Sequence, residues 1–408
     1  MDQPLDDDKS ADQRTLEKIA QITRRSFRIL RSIQEYSQGV DPDTGEISGK
    51  SHRVRYSVKQ AAEMVERTDW SIRDAENKGR LPAPDIDPKT NRRLGYRLDQ
   101  VNTLREYFGT LPHRGVDDPP AIISVQNFKG GVGKSCMTTH LAHGFAALGY
   151  RVLVIDADPQ ATTTSVFGFN PDLDVSAEDT LGPYLLRDID TLEPVIRKTH
   201  VDQVDLIPSQ LRLHDAEYVL ASQIPSDPEI LDMLRTGVRH VARSYDIVLI
   251  DPPPALGMIP LSVLRAANAL LVPVRPSMID FSSTVNFFSM LEESIEALAR
   301  RFMSPTFHWT RILINDIDEG KSMQSHIARL MERVYESDLL PTRVLDSAEI
   351  DNAAGRLCTV FELTEVSTSR ETRRRAVNNL SALVSEVEQL IHTTWPQRAA
   401  ELRRVGRL

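Results

Sequence analysis

The sequence predicts an α/β protein: a mostly parallel sheet with helices on both faces, preceded by an all-α part with a winged helix–turn–helix and an N-terminal helix. Three observations predict it. Short apolar runs recur at 121–127, 151–158, 203–209, 245–253, 269–275 and 311–316. Helical stretches such as CMTTHLAHGFAALG and DMLRTGVRHVARS separate them. Near-continuous apolar strands alternating with helices require a sheet covered on both faces. Before residue 120 the pattern changes to helical periodicity, and the Pro- and Asp-rich stretch LPHRGVDDPPA (111–121) marks the change. The boundaries follow: 1–50 for tail, helix and loop, 51–110 for the winged helix, 111–120 for a linker, and 121–408 for the sheet domain. A chain of 408 residues with 26% charged residues is ordinary for a soluble protein of two or three domains. Two cysteines, Cys136 and Cys358, exclude a disulfide framework or a zinc cluster. The start MDQPLDDDKS lacks the apolar core of a secretion signal, and no run of about 18 apolar residues occurs. A cytoplasmic location is therefore expected.

Residues 11–36 read as one amphipathic helix. Leu16, Ile19, Ile22, Phe27, Leu30 and Ile33 fall on one side, with Arg24, Arg25, Arg28 and Arg31 mostly opposite. Either it packs on its own domain or it is a dimerisation arm; a broad apolar stripe with little chain before it calls for a partner surface. Residues 56–109 divide into a helix opened by a Ser57/Gln60 capping box, a turn ERTD, a second helix WSIRDAENK closed by Gly79, a Pro-rich basic segment, and a third helix LDQVNTLREYF. This is a helix–turn–helix plus wing. It resembles winged helices of the MerR type through Ile72, Arg73, Glu76 and Gly79. The second helix would offer Ser71, Arg73, Asp74 and Lys78 to a major groove. Arg92, Arg93 and Arg97 on the wing would grip phosphate or the minor groove, with Tyr96 behind. Net charge is −9, so nucleic-acid binding has to be local. Residues 14–114 carry 20 Lys/Arg against 14 Asp/Glu, reversing the sign of the whole.

The stretch QNFKGGVGKSCMTTHLA (126–142) follows a strand and opens a helix. Gly130, Gly131 and Gly133 let backbone N–H groups wrap a polyphosphate, and the helix start adds its positive dipole end. Lys134 supplies a point charge to the β- and γ-phosphates, and the Ser135 hydroxyl is placed to ligate Mg²⁺. Phe128 stands where the strict phosphate-loop motif has glycine, so K-G-G-x-G-K-[ST], the deviant Walker A form, remains. The nucleotide-contacting set is Lys129, Gly130, Gly131, Val132, Gly133, Lys134, Ser135 and Cys136. The deviant form carries a second lysine, Lys129.

This loop, VLVIDADPQ (152–160) and DIVLIDPPPALG (246–257) together resemble ParA-type partition ATPases, over residues 121 to about 390. With the N-terminal helix and winged helix, the whole chain resembles their large, N-terminally extended class. The resemblance implies a P-loop NTPase fold, ATP/ADP and Mg²⁺ as cofactors, and slow, partner-stimulated hydrolysis. It implies that Lys129 crosses to the nucleotide of a second subunit in an ATP sandwich dimer. A second charge on the same subunit's phosphates is the alternative. Asp251 matches the Walker B aspartate that holds Mg²⁺, Asp158 the residue that orients or activates the attacking water, and Asn315 an adenine contact. Asp156 shares a strand face with Asp158 and would support the metal shell; Asp158 before Pro159 also reads as a helix N-cap. Arg370, Arg373, Arg374 and Arg375 would join a surface that binds nucleoid DNA nonspecifically, unless they only solvate a helix face. The implied partners are a second copy, operator DNA for autorepression, nucleoid DNA and a ParB-type centromere-binding protein. A nucleotide-sensing transcription or replication regulator would share every motif. A MinD-like membrane-positioning ATPase would need an amphipathic anchor, and the basic tail WPQRAAELRRVGRL gives no stable one. An iron–sulfur reductase would need cysteines that are absent.

Overall fold

The computed structural model describes residues 11–38, 54–300, 305–363 and 368–406. The chain divides into two compact units, Met1–Lys50 and Ser51–Leu408. The first contains α1 (Ala11–Gln38), a single 28-residue helix. Leu16, Ile19, Ile22 and Ile29 are exposed along it, as are Arg24, Arg25 and Arg28. The side chains of Phe27, Leu30, Arg31 and Ile33 lie outside the described residues.

The second unit begins with three short helices, α2 (Val58–Met64), α3 (Asp69–Asn77) and α4 (Leu98–Phe108). The capping box forms as read. Ser57 Oγ accepts from Gln60 N at 3.3 Å, and Gln60 Oε1 accepts from Ser57 N at 2.9 Å. Thr68 caps α3 by accepting from Ser71 N at 3.2 Å. Ala61, Val65, Ile72, Tyr96, Val101 and Leu104 form their common core. The chain between α3 and α4 makes antiparallel bridges Ile86–Arg93 and Tyr56–Tyr96, a small wing whose turn is closed by Asp87 N to Arg92 O at 2.8 Å.

Seven strands follow within the described residues: β1 (Ala121–Val125), β2 (Val152–Asp156), β3 (Arg197–Lys198), β4 (Val204–Ile207), β5 (Ile247–Asp251), β6 (Ala269–Val274) and β7 (Trp309–Ile314). They form one sheet in the order β3-β4-β2-β5-β1-β6-β7. Every pairing is parallel except that of β3 with β4. The six apolar runs are the six parallel strands. The two-residue edge strand β3 has exposed Arg197 and Lys198 and gave no apolar signal. The strands are apolar throughout because alternate residues serve opposite cores. On β2, Val152 and Val154 pack with Met137, Phe145, Leu380 and Trp395, whereas Leu153 and Ile155 pack with Leu220, Leu234, Val238 and Val263. Helix α5 (Lys134–Leu148) lies in the first of these cores and is buried along most of its length.

Segment 111–120 is not a loose tether. Asp118 is buried and accepts from Gln397 N and Arg398 N at 2.9 and 2.8 Å, which caps the C-terminal helix Pro396–Arg404. Trp395 is fully buried and donates from Nε1 to Pro119 O at 2.7 Å. The one large aromatic of the tail is thus part of the core. No helix among the described residues is long and apolar enough to cross a membrane.

The three-helix unit α2–α4 is docked onto the end of α5. Arg105 of α4 is buried; its Nη2 donates to Ala147 O and its Nη1 to Asn102 Oδ1, both at 2.6 Å. Gly149, at φ +107, ends α5, and a Cβ there would lie 2.9 Å from Pro112 Cδ and 3.1 Å from Arg105 Nη1. Only glycine allows both that backbone angle and that approach.

Candidate nucleotide site and nucleic-acid interface

The polar residues gather at the C-terminal ends of β1, β2 and β5, where open α/β sheets bind ligands. Buried Asn127, just past β1, fixes the loop entrance: its Oδ1 accepts from Lys129 N and its Nδ2 donates to Pro273 O, both at 3.0 Å. Gly131 and Gly133 take φ +76 and +91. A methyl group on Gly133 would also collide with the Asn315 amide. Gly133 is the N-cap of α5 and no side chain caps this helix. Its first N–H groups are therefore available to an anion. Lys134 is 6% exposed, with Nζ 3.4 Å from Lys129 O. Burial pushes its pKa down, and the carboxylates of Asp251 and Asp158 oppose that shift. Lys129 differs from it. Its side chain is 36% exposed and its ammonium stands 3.8 Å from Asp280. Cys136 packs in the first turn of α5, where burial pushes its thiol up to about 12. Val132 is buried and its carbonyl accepts from Asn315 Nδ2 at 2.7 Å. Asn315 thus braces the loop, and its Oδ1 is buried without a partner among the described residues.

Asp156 and Asp251 are register partners at the ends of β2 and β5. Asp251 Oδ2 accepts from Thr163 Oγ1 at 2.7 Å, while Oδ1 is buried with no partner among the described residues. Burial pushes Asp251 up to about 6, while the nearby hydroxyls of Ser135 and Thr163 and the charge of Lys134 oppose that rise. Asp156 is used otherwise. Its Oδ2 accepts from Thr164 N and Oγ1 at 2.8 and 2.7 Å, and its Oδ1 from Asp158 N at 3.1 Å. Burial beside Asp251 holds it well above the usual carboxylate range. The sequence assigns Asp156 to the metal shell; in the structure both its oxygens brace the turn that carries Asp158 and Thr164. Asp158 is nearly buried and accepts from Gln160 N at 2.9 Å. It does not cap the next helix, which starts at Thr162 behind Ala161. Among the described residues no group of three or more His, Cys, Asp or Glu is placed to hold a metal. One orphaned carboxylate oxygen beside a hydroxyl suits an ion such as Mg²⁺, which keeps water and phosphate ligands. Sequence reading did not name Asn127, Thr163, Thr164 or Asp280. The run ATTT directly after the Asp158 turn was the available signal for the two threonines.

The proposed DNA-reading residues divide. Arg73 on α3 and Arg92 on the wing turn are exposed and have no ion pair among the described residues. Ser71 shares a hydrogen bond with the Thr68 hydroxyl at 2.8 Å, and Lys78 pairs with Asp74 at 2.7 Å. Arg93 and Arg97 are committed within the chain. Arg93 Nη2 meets both oxygens of Glu76 at 2.6 and 2.7 Å and the Tyr96 hydroxyl at 3.0 Å. Arg97 pairs with Asp85 at 2.8 Å and Asp99 at 2.9 Å. These two arginines hold the wing on α3 and α4. Trp70, unnamed in the sequence reading, is 71% exposed in the first turn of α3. At the C-terminal helix Arg370–Thr393, Arg370 and Arg375 are exposed, and Arg374 pairs with Glu371 at 2.8 Å. Arg373 is separate from them: it is half-buried and lines a cleft partly open to solvent.

With this geometry in hand, similarity to known proteins is informative. A family model described as an AAA domain matches residues 120–303. Protein SopA of Escherichia coli K12 is 34% identical over 355 residues, covering 84% of this chain and 90% of SopA. The cell division protein PomZ of Myxococcus xanthus is 26% identical over 344 residues, covering 84% of this chain and 98% of PomZ. A solved structure described as a partition protein superimposes with a TM-score of 0.65 over 93% of this chain and 98% of that one. At 20% identity it shows the shared fold.

Proposed function

Because the chain belongs to the ParA-type partition ATPases, we propose that it segregates DNA through an ATP sandwich dimer in which Lys129 of each protomer completes the other's triphosphate site. The observation that carries this reading is the unequal setting of the two lysines. Lys134 is buried in its own loop under two carboxylates. The Lys129 side chain is partly exposed, and among the described residues its ammonium pairs with Asp280 at 3.8 Å. A cation so placed can reach a neighbour and stabilise charge developing on its γ-phosphate, as an arginine finger does.

In this reading the N–H groups of Gly130 to Ser135 and the Lys134 ammonium bind the phosphates, and Cys136 adds its N–H from the next position. The buried, unpartnered Asn315 Oδ1 would accept from the adenine. Ser135 and the unpartnered Asp251 Oδ1 would hold Mg²⁺, which supplies charge neutralisation on the β- and γ-phosphates. Asp158 orients the attacking water and takes up its proton. Thr163 fixes the Asp251 carboxylate. The apolar stripe of α1 serves as a second dimer contact. Arg73 and Arg92, with Trp70 and Ser71, read operator DNA, and Lys78 contributes once Asp74 releases it. Arg370, Arg374 and Arg375 contribute to nonspecific binding of nucleoid DNA. A ParB-type partner stimulates an otherwise slow hydrolysis. The relative PomZ supports a second reading in which the same nucleotide cycle positions a cell-division cargo.

Gel shifts on random DNA and on DNA upstream of the coding sequence, each with ADP and with ATP, test the proposal. Random DNA should be bound only with ATP, with a steep loss as salt rises. Lys134→Ala should abolish that binding, and Arg73→Ala should weaken upstream binding selectively. Random-DNA binding that ignores the nucleotide would refute the sandwich reading. Upstream binding without any ATP-dependent random binding would leave a regulator in place of a partition ATPase.

A further inference from the structure

One row of cations lies outside both basic surfaces described so far. Arg235 and Arg239 stand one turn apart on the helix Met233–Val241, and Arg243 lies on the short turn Ala242–Ser244 that continues it. The helix packs Leu234, Val238 and Val241 into a core of the sheet, which leaves Arg239 and Arg243 exposed and Arg235 half-buried. At about 1.5 Å per residue the three positions span about 12 Å. The acids around the row are already engaged. Asp232 accepts from Arg265 Nε at 2.8 Å and stands 3.9 Å from Arg235. Glu193 pairs with His240 at 2.8 Å, and Asp246 with Arg151 at 2.9 Å. Arg239 and Arg243 have no ion pair among the described residues. Burial and the charges of Arg235 and Arg265 draw the Arg239 pKa down, with Asp232 opposing. Like charges gathered in this way favour an anion beside them.

We propose that Arg235, Arg239 and Arg243 form a further contact for the phosphate backbone of duplex DNA. The proposal rests on the reading that this chain binds DNA, and it adds a surface that neither the winged helix nor the C-terminal helix supplies. Charge complementarity favours this occupant. Duplex DNA carries one negative charge per about 1.7 Å of its axis, so a row of this length meets phosphates along its whole extent. No large exposed apolar residue falls between 233 and 244, whereas a protein partner would need an apolar centre to its interface. In a chain of net charge −9 such a contact has to be local. The row ends where the chain enters β5, opposite the strand ends that carry the phosphate loop. There Arg114 Nη2, from segment 111–120, donates to Arg243 O at 3.4 Å. A duplex on the row therefore leaves the nucleotide site uncovered.

Fluorescence anisotropy of a labelled random-sequence duplex, read on the full chain with Mg²⁺ and a non-hydrolysable ATP analogue across a salt series, tests the proposal. Each phosphate contact steepens the fall of log affinity against log salt by about 0.9. The double variant Arg239→Gln, Arg243→Gln should therefore show a slope shallower by about 1.8. Its affinity deficit against the parent should shrink by about twelvefold between about 50 and 200 mM salt. Arg239→Lys with Arg243→Lys should keep most of the parental slope, because lysine also meets phosphate as a point charge. ATP affinity should match the parent in both variants, so that the slope reports the contact alone. A parental slope in the glutamine variant would overturn the proposal and leave DNA binding to the other surfaces. A parent that binds no duplex would overturn it together with the reading on which it rests. Polyglutamate bound by the parent and lost in the glutamine variant, with duplex binding untouched, would assign the row to an acidic protein instead.

Discussion

Replacing Lys129 by alanine separates its two possible roles. Within one chain the side chain makes a 3.8 Å contact with Asp280 and is 36% exposed. An ion pair so open to solvent contributes about 0.2–1 kcal/mol. The variant should therefore unfold within about 1 kcal/mol of the parent, a shift of no more than about 3 °C. Lys134 and its carboxylate neighbours are untouched, so affinity for ATP in a single protomer should barely change. A cation delivered across an interface is worth about 10³–10⁵ in turnover. That corresponds to about 4–7 kcal/mol of transition-state stabilisation. The expected phenotype is thus lopsided: a folded, ATP-binding monomer with at least about a thousandfold less stimulated hydrolysis. Phosphate release with DNA and the partner protein, sedimentation velocity with a non-hydrolysable ATP analogue, and nucleotide titration measure the three quantities. A loss of turnover below tenfold would refute the trans role. A loss of ATP affinity matching the loss of turnover would place Lys129 on its own protomer's phosphates.

Gly133→Ala should destabilise the nucleotide-free protein by about 2 kcal/mol, because alanine is strained at φ +91 and its methyl displaces Asn315 from Val132 O. Urea unfolding checks this; an unchanged midpoint would mean the loop is not held in that conformation. His140 should make stability acid-sensitive. Burial draws its pKa from 6.5 to about 4, and its Nε2 accepts from Val360 N at 3.1 Å. A folded pKa below the unfolded one gives stability that is full above about 6.5 and is lost as pH falls through about 4. Between pH 7 and 4.5 the parent should lose about 2 kcal/mol more than His140→Gln; parallel losses would remove His140 as a cause. Arg105→Met should keep the cleft wall apolar and packed but cut the bonds to Ala147 O and Asn102. Hydrogen exchange should then quicken over 98–112 and stay slow over 121–125; no change at 98–112 would show that the winged helix is held by other contacts.

The parallel strands were legible because each needs an unbroken apolar run, and the loop because a glycine run with lysine has few other uses. The capping box at Ser57 and the end of α3 near Gly79 were legible for the same local reason. What stayed hidden is long-range pairing. Nothing near Arg93 in sequence announces Glu76, 17 residues away across the wing. Nothing near Asp156 says that Thr164 will use one of its oxygens and the Asp158 amide the other. Composition presented the four arginines after residue 369 as one basic face. Helical geometry turns Arg373 inward while its neighbours remain outside. Charge counts alone therefore overstate the unpaired basic surface at both the wing and the C-terminal helix.

The placement of α5 decides how such a protein could make DNA reading depend on nucleotide. Its first turn carries uncapped N–H groups and Lys134, which in the proposed function meet the phosphates. Its last turn offers Ala147 O to the buried guanidinium of α4. Between these ends, Gly144 sits so close to Val384 of the C-terminal helix that a methyl group would not fit, and His140 and His143 reach Val360 and Thr359. A rigid helix packed on every side cannot shift at one end alone. A displacement of the phosphate loop on binding a triphosphate would move the Ala147 carbonyl, and the Arg105 contact would carry it to α4 and the wing. If that is the route, Arg105→Met should leave ATP binding and hydrolysis in place while upstream-DNA affinity becomes the same with ADP as with ATP. Retained nucleotide dependence in that variant would require a path through the dimer interface instead.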